Sequence, residues 1–151
     1  MIDATTSTRI DLLLVEDDPG DAMMTREALA ESGMDLDLHL VDNGEAAISF
    51  LRQESPYDDA PRPDLILLDL NLPRVDGREV LAFVKGDRSL RRIPLVVLST
   101  SDSDDDIAQS YDLHANAFVT KPVDFDSFRS AVRRVDDFFL TVARLPPKPR
   151  V

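Results

Sequence analysis

The 151-residue chain contains no cysteine, which excludes disulfide bonds and thiolate chemistry. It also has no apolar run that approaches the roughly 20 residues of a membrane-spanning helix. The opening segment MIDATTSTRID carries no apolar signal sequence. Together these absences predict a cytoplasmic protein that does not bind a membrane.

Positive charge is scarce as well. The chain has 17 Lys and Arg against 29 Asp and Glu, for a formal net charge of -12. Such an excess of negative charge argues against nucleic acid or an anionic membrane surface as the direct partner. Basic or cationic partners fit this composition better.

Five short runs rich in Val, Ile and Leu predict β-strands at residues 10–15, 36–41, 65–68, 95–98 and 117–120. Amphipathic stretches between them predict helices at about 19–32, 46–51 and 78–85, a fourth after 102–106 and a fifth, the longest, after Asp124. Strict alternation of strand and helix indicates an α/β fold, a parallel sheet with helices on both faces. We expect one domain at 10–145 with an extended last helix, an N-terminal tail at 1–9 and a flexible tail at 146–151.

Polar side chains follow four of the predicted strands where each strand ends. They are Glu16, Asp17 and Asp18 after the first, Asp69 and Asn71 after the third, Ser99 and Thr100 after the fourth, and Lys121 after the fifth. In an open parallel sheet, the carboxyl ends of the strands face the ligand-binding crevice. The sequence therefore predicts that carboxylates, a hydroxyl and an ammonium meet at one edge.

Two interpretations of the acid cluster compete: the carboxylates are solvated turn and helix-cap residues, or they hold a cation. Asp18 suits a helix start. A carboxylate that attacks a phosphoryl group needs its charge neutralised, and Mg²⁺ prefers oxygen ligands such as those of Glu16, Asp17, Asp69 and the Asn71 carbonyl. The joint placement of these residues favours the cation site, with Mg²⁺ as cofactor and Mn²⁺ as a possible substitute.

Four motifs in order, LLVEDD, DLILLDLNLPRVDG, IPLVVLSTS and FVTKP, resemble the receiver domain of two-component response regulators over about residues 10–140. The resemblance implies a flavodoxin-like, doubly wound three-layer sandwich with strand order 2-1-3-4-5. It implies the phospho-acceptor Asp69, an acid pocket of Glu16 and Asp17, and phosphate contacts from Ser99 and Lys121. It further implies phosphate-contact or switch positions at Thr100, Phe118, Asn71 and Ser101.

The polar loop at 53–63 and the FFLTVARLP ending are similar to small single-domain regulators that pair with phytochrome-type histidine kinases. The expected function is therefore phosphotransfer from a sensor histidine kinase to Asp69, with output through protein contacts. Two alternative functions stay open. One is a degenerate receiver that acts as a phosphate-independent binding module, and the other is a haloacid-dehalogenase-type phosphatase, which would carry an aspartate where this chain has Asn71.

The end of the fifth helix carries more apolar surface than one packed face requires, and a continuous helix from 125 to 145 would extend past the sheet. We therefore expect a homodimer through the last helix. The predicted interface residues are Phe138, Phe139, Leu140, Val142 and Leu145.

Overall fold

The structure, a computed structural model, describes residues 9–31, 33 and 35–147. Most of the predicted N-terminal tail, the predicted helix end at Ser32 and the last four residues lie outside these ranges. The strands are β1 (Ile10–Val15), β2 (Leu36–Val41), β3 (Leu65–Leu68), β4 (Leu95–Ser99) and β5 (Ala117–Thr120). The α-helices are α1 (Pro19–Ala30), α2 (Gly44–Arg52), α3 (Gly77–Gly86), α4 (Asp104–Asp112) and α5 (Phe125–Asp137).

The five strands form one parallel sheet in the order β2-β1-β3-β4-β5, which confirms the predicted flavodoxin-like fold. The central strand β3 is buried along its whole length because both of its faces are covered. Leu65 and Leu67 pack with residues of α1 and α5, whereas Ile66 and Leu68 pack with residues of α2 and α3. The sheet is thus the middle layer of three.

Each α-helix begins at the carboxyl edge of the sheet behind a polar cap. The capping side chains, each accepting at least one backbone N–H of the first turn, belong to Asp18, Asn43, Asp76, Ser103 and Asp124. Asp18 therefore has the helix-start role that the sequence predicts. Because helix N-termini carry partial positive charge, their convergence offsets part of the negative charge at this edge.

The last helix differs from the prediction. The α-helix ends at Asp137 and continues only as a π-helical segment, Phe138–Val142, after which Ala143 is extended. The helical segment therefore ends at Val142, before the predicted end at residue 145. The predicted continuous helix to residue 145 is wrong.

This ending also covers part of the surface predicted for the dimer interface, and the interface itself stays a prediction. Leu140 is 9% exposed and belongs to the core, and Phe139 and Leu145 are partly buried against that same cluster. The wider π-helical turn brings Leu140 towards the sheet, where it is covered by its own chain. Of the five predicted interface residues, Phe138 and Val142 are the exposed ones, at 52% and 70%.

Among residues 9–31, 33 and 35–147, no helix combines the length and apolar character that crossing a membrane requires.

Candidate functional site

The candidate site lies at the carboxyl edge of β1, β3, β4 and β5. Two residues of the site are held by backbone hydrogen bonds that extend the sheet beyond the strand ends. The Glu16 backbone N–H donates to Val41 O at 3.0 Å, and the Asp69 backbone N–H donates to Val15 O at 3.0 Å. Glu16, Asp69, Ser99 and Lys121 are all buried. The structure therefore brings together four of the side chains that the sequence places after strand ends.

Gly77 sets the position of the chain that follows Asp69. The Gly77 amide donates to Leu70 O at 2.8 Å, and a Cβ at residue 77 would overlap the backbone carbonyl oxygen of Asp69. Glycine is required here because the first turn of α3 approaches the end of β3 so closely. This contact fixes the backbone that carries the Asp69 carboxylate.

The ammonium of Lys121 lies among three carboxylates. Its Nζ donates to Glu16 Oε1 at 2.6 Å, to Asp21 Oδ2 at 2.9 Å and to Asp69 Oδ2 at 3.2 Å. The side chains of Lys121 and Glu16 are only 4% and 2% exposed. A buried charge requires a partner of opposite sign, and here one positive charge faces three acids. The site therefore has an excess of negative charge.

Burial and charge act in opposite directions on Glu16 and Lys121. Burial raises the pKa of Glu16 to about 7, although the hydrogen bond and positive charge of Lys121 oppose this. Burial alone would lower the pKa of Lys121, but hydrogen bonds to Glu16 and Asp21 and the charges of Glu16 and Asp69 raise it above its usual range. Lys121 is therefore a fixed positive charge, whereas Glu16 changes charge near neutral pH.

Replacing Glu16 with glutamine tests this electrostatic reading. In buffer without divalent cations, the stability advantage of the wild type over Glu16→Gln should fall by about 2 kcal/mol as pH rises from about 4.5 to about 7. The sign follows because the folded protein binds the Glu16 proton more tightly than the unfolded chain, so ionisation in this window costs folded-state stability. Urea unfolding of both proteins across this range measures the difference, because titrating groups remote from Glu16 contribute equally to both. A difference that is flat or rises with pH would contradict the assignment.

The same edge fits a divalent cation. One carboxylate oxygen from each of Glu16, Asp17 and Asp69 lies within 4.8 Å of the other two. Asp17 is exposed, so solvent has access to the cluster. Hard divalent cations prefer such oxygen ligands, and the single charge of Lys121 leaves negative charge for them to neutralise. These three carboxylates therefore form a cation site of suitable chemistry.

The remaining predicted residues surround this centre. The backbone N–H of Asn71 donates to Asp69 Oδ1 at 3.1 Å, and the backbone N–H of Ser101 donates to Ser99 Oγ at 3.1 Å. Thr100 is exposed on a groove that also contains Lys121. Phe118 is partly buried against the core, and its amide donates to the Tyr111 hydroxyl at 3.2 Å. Their individual roles in phosphate contact and switching stay predictions.

Sequence reasoning missed two features of the site. The first is Asp21, which contacts Lys121 from the first turn of α1 and which its position near this edge of the sheet could have suggested. The second is the link from Ser101 to α3: Ser101 Oγ donates to Asp106 Oδ2 at 2.6 Å, and Arg78 donates to Asp106 Oδ1 at 2.7 Å. Hydrogen bonds from Ser101 and then Arg78 lower the pKa of Asp106. Arg78 and Asp106 are 28 positions apart in the chain, so no local sequence pattern indicates their contact.

Comparison with known proteins agrees with this geometry. The family model of the response regulator receiver domain matches residues 12–133. Response regulator Rcp1 of Synechocystis sp. is 45% identical over 135 residues, which cover 89% of this chain and 92% of Rcp1. The crystal structure of the phosphorylated cyanobacterial phytochrome response regulator RcpA matches with a TM-score of 0.90 and 48% identity, covering 93% of this chain and 100% of RcpA. The Mn²⁺-bound form of Rcp1 matches with a TM-score of 0.89 and 44% identity, covering 91% and 99%.

Proposed function

This chain belongs to the response regulator receiver domain family, and on that premise we propose that Asp69 accepts a phosphoryl group from the phosphohistidine of a sensor kinase. An Asp69 carboxylate oxygen would attack phosphorus, the bond between phosphorus and the histidine nitrogen would break, and the imidazole would leave with the bonding electrons. The single observation that carries the proposal is the buried Lys121 ammonium, which touches both Asp69 and Glu16.

The residues around Asp69 are suited to hold a phosphoryl group in place. Lys121 would donate to one phosphoryl oxygen and Ser99 to another, because both side chains are buried and adjoin the end of β3. The Asn71 amide, which donates to Asp69 Oδ1, orients the acceptor carboxylate. Positioned donors of this kind stabilise charge as it develops on the transferred group.

Glu16, Asp17 and Asp69 would hold Mg²⁺, together with the backbone carbonyl of Asn71. The bound dication would neutralise phosphoryl charge and allow an anionic donor to approach an anionic acceptor. Asp17, as the exposed member, is accessible from solvent, whereas Glu16 is fixed by Lys121 and by the Asp18 amide at 3.2 Å. The relative Rcp1 has a Mn²⁺-bound form, which supports binding of a divalent cation by this chain.

Phosphorylation would act on the loops after β4 and β5. A phosphoryl group adds about -1.5 to -2 charge and new acceptor oxygens, which favour Ser99 and Lys121 as donors. Ser99 is linked through Ser101 to Asp106 at the first turn of α4. A movement of Ser99 would therefore displace the first turn of α4. Phe118 would move with the β5 edge, which changes the population of α4 and β5 surface conformations rather than the fold.

The kinase partner would be of the phytochrome type. RcpA, described as a cyanobacterial phytochrome response regulator, aligns over 93% of this chain. An acidic chain of net charge -12 also suits a kinase surface that is basic. A phosphotransfer assay with radiolabelled kinases tests this pairing. We expect this chain to receive the labelled phosphoryl group from a phytochrome-type histidine kinase and not from an unrelated histidine kinase.

Incubation with acetyl phosphate and Mg²⁺, followed by intact-mass measurement, tests the phospho-acceptor role. We expect one added phosphoryl group per chain. A turnover assay with small phosphomonoesters separates the phosphatase alternative, because many turnovers per chain would favour an enzyme. Absence of any adduct on the wild type would overturn the proposal and favour the phosphate-independent binding module.

A homodimer through the exposed apolar residues Phe138 and Val142 completes the proposal, replacing the wider interface that the sequence predicts. Phe138→Asp should convert a wild-type dimer to a monomer in light scattering, because a charge would be buried at the centre of the contact. Met23→Asp is the matched control, since Met23 is also exposed, at 62%, but lies on α1. A monomeric wild type, or a dimeric Phe138→Asp variant, would refute this interface.

A further inference from the structure

Asp21 contacts the site from outside the acid cluster that the family resemblance implies. It lies in the first turn of α1, and its Oδ2 accepts from Lys121 Nζ at 2.9 Å. That distance is shorter than the 3.2 Å between Lys121 Nζ and Asp69 Oδ2. Among the described residues, the carboxylates close enough to share a metal ion are those of Glu16, Asp17 and Asp69. Asp21 is therefore a partner of the ammonium and stands apart from the cation ligands.

The contacts of Lys121 leave it no spare hydrogen. An ammonium has three N–H donors, and the three carboxylates use all of them. If Lys121 is to donate to a phosphoryl oxygen on Asp69, one present acceptor must give up its hydrogen bond. The acceptor that water can most easily satisfy is the one that gives way at least cost.

Exposure identifies that acceptor as Asp21. Its side chain is 22% exposed, against 2% for Glu16 and 10% for Asp69. Asp21 also lines an open groove of about 390 Å³ that includes Thr100, Lys121 and Pro122, so water can reach the carboxylate once Lys121 turns away. Glu16, in contrast, would be left as an unpaired buried charge.

We propose that Asp21 is a positioning residue that holds Lys121 in the unphosphorylated protein and releases it when Asp69 carries a phosphoryl group. The inference rests on the phospho-acceptor function proposed above. Because the Asp21 contact exists only before phosphorylation, it favours the unphosphorylated state. The negative charge of Asp21 acts in the same direction, because it lies 2.9 Å from Lys121 Nζ and repels an anion that binds the same ammonium. Asp21 thus sets how readily the site accepts a phosphoryl group.

Beryllium trifluoride, which mimics a phosphoryl group on aspartate, measures this preference at equilibrium. With saturating Mg²⁺, calorimetric titration should show that Asp21→Asn binds beryllium trifluoride about three- to fivefold more tightly than the wild type, the range of a partly exposed charge pair. Asp21→Glu, which keeps the charge and the acceptor, should return the affinity towards the wild-type value. Glu27→Gln, an exposed charge removal further along α1, should leave it unchanged.

The outcomes separate this inference from its premise. If Asp21 only stabilised the N-terminus of α1, Asp21→Asn would lower the unfolding temperature without tightening beryllium trifluoride binding. If the wild type binds beryllium trifluoride and both Asp21→Asn and Glu27→Gln bind it with the same affinity, the inference about Asp21 is overturned and the proposed function is not. A wild type that neither binds beryllium trifluoride nor gains a phosphoryl group would overturn the proposed function and this inference together.

Discussion

Asp69→Asn should gain no phosphoryl group from acetyl phosphate and Mg²⁺ under conditions in which the wild type gains one per chain. The amide oxygen of asparagine lacks the negative charge of a carboxylate and is a poor nucleophile, so the acceptor itself is removed. Intact-mass spectra of the two proteins, recorded in parallel, measure the effect. The expected difference is complete loss of the adduct.

The asparagine variant should remain folded, which keeps this comparison informative. Asparagine keeps one oxygen, which can accept from Lys121 in place of Asp69 Oδ2, while the contact of Oδ1 with the Asn71 backbone N–H is lost. Removing one negative charge also relieves repulsion with Glu16. Asp102→Asn is the matched control, because it removes an exposed carboxylate from the loop after β4. An adduct on Asp69→Asn equal to that on the wild type would place the acceptor elsewhere.

The sequence carries enough information to predict most of the sheet. Four strands begin and end where the predicted runs do. The clearest is β3, an uninterrupted run of Leu and Ile that is buried along its whole length, whereas β2 and β5 are mostly only partly buried. The remaining strand, β4, runs one residue further than predicted, to Ser99, whose carbonyl accepts from the Lys121 backbone N–H at 2.6 Å. That extension is decided by pairing with β5, which a single run of residues does not reveal.

Convergence of the site residues was predictable for a similar reason. Parallel strands present their carboxyl ends at one edge, so Glu16, Asp69 and Lys121 had to lie near each other once the alternation of strands and helices was recognised. The contact between Lys121 and Asp21 was not predictable in this way. It depends on which side of α1 faces β5, a matter of tertiary packing rather than strand order.

The structure at the end of α5 could not be predicted from the sequence. Apolar residues at 138–140 fit either an overhanging helix with an exposed face or a turn that folds back on the core. The structure has the second, because a π-helical turn lets Leu140 reach the cluster that contains Phe128 and Val132. Spacing of apolar residues cannot distinguish these outcomes, since one inserted residue in a turn changes which side chain is buried.

Lys121→Gln should lower the free energy of unfolding by about 3 to 5 kcal/mol at pH 8 without divalent cations. The substitution leaves the buried carboxylates of Glu16 and Asp69, and the nearby Asp21, without the ammonium that contacts all three. The deficit should shrink as pH falls, because Glu16 already has its pKa raised by burial and loses the cation that opposes this shift. Protonation of Glu16 then removes part of the repulsion.

Mg²⁺ should restore much of this loss, and the restoration distinguishes electrostatics from packing. A dication bound by Glu16, Asp17 and Asp69 supplies the positive charge that the variant lacks, so added Mg²⁺ should stabilise Lys121→Gln more than the wild type in urea unfolding. Lys85→Gln is the control: Lys85 Nζ donates to Arg91 O, Ile93 O and Asn116 Oδ1, which are neutral. Its loss of stability should not respond to Mg²⁺. If Mg²⁺ stabilised both variants equally, the acid cluster would not be what Lys121 neutralises, and the electrostatic basis for phosphoryl acceptance at Asp69 would fail with it.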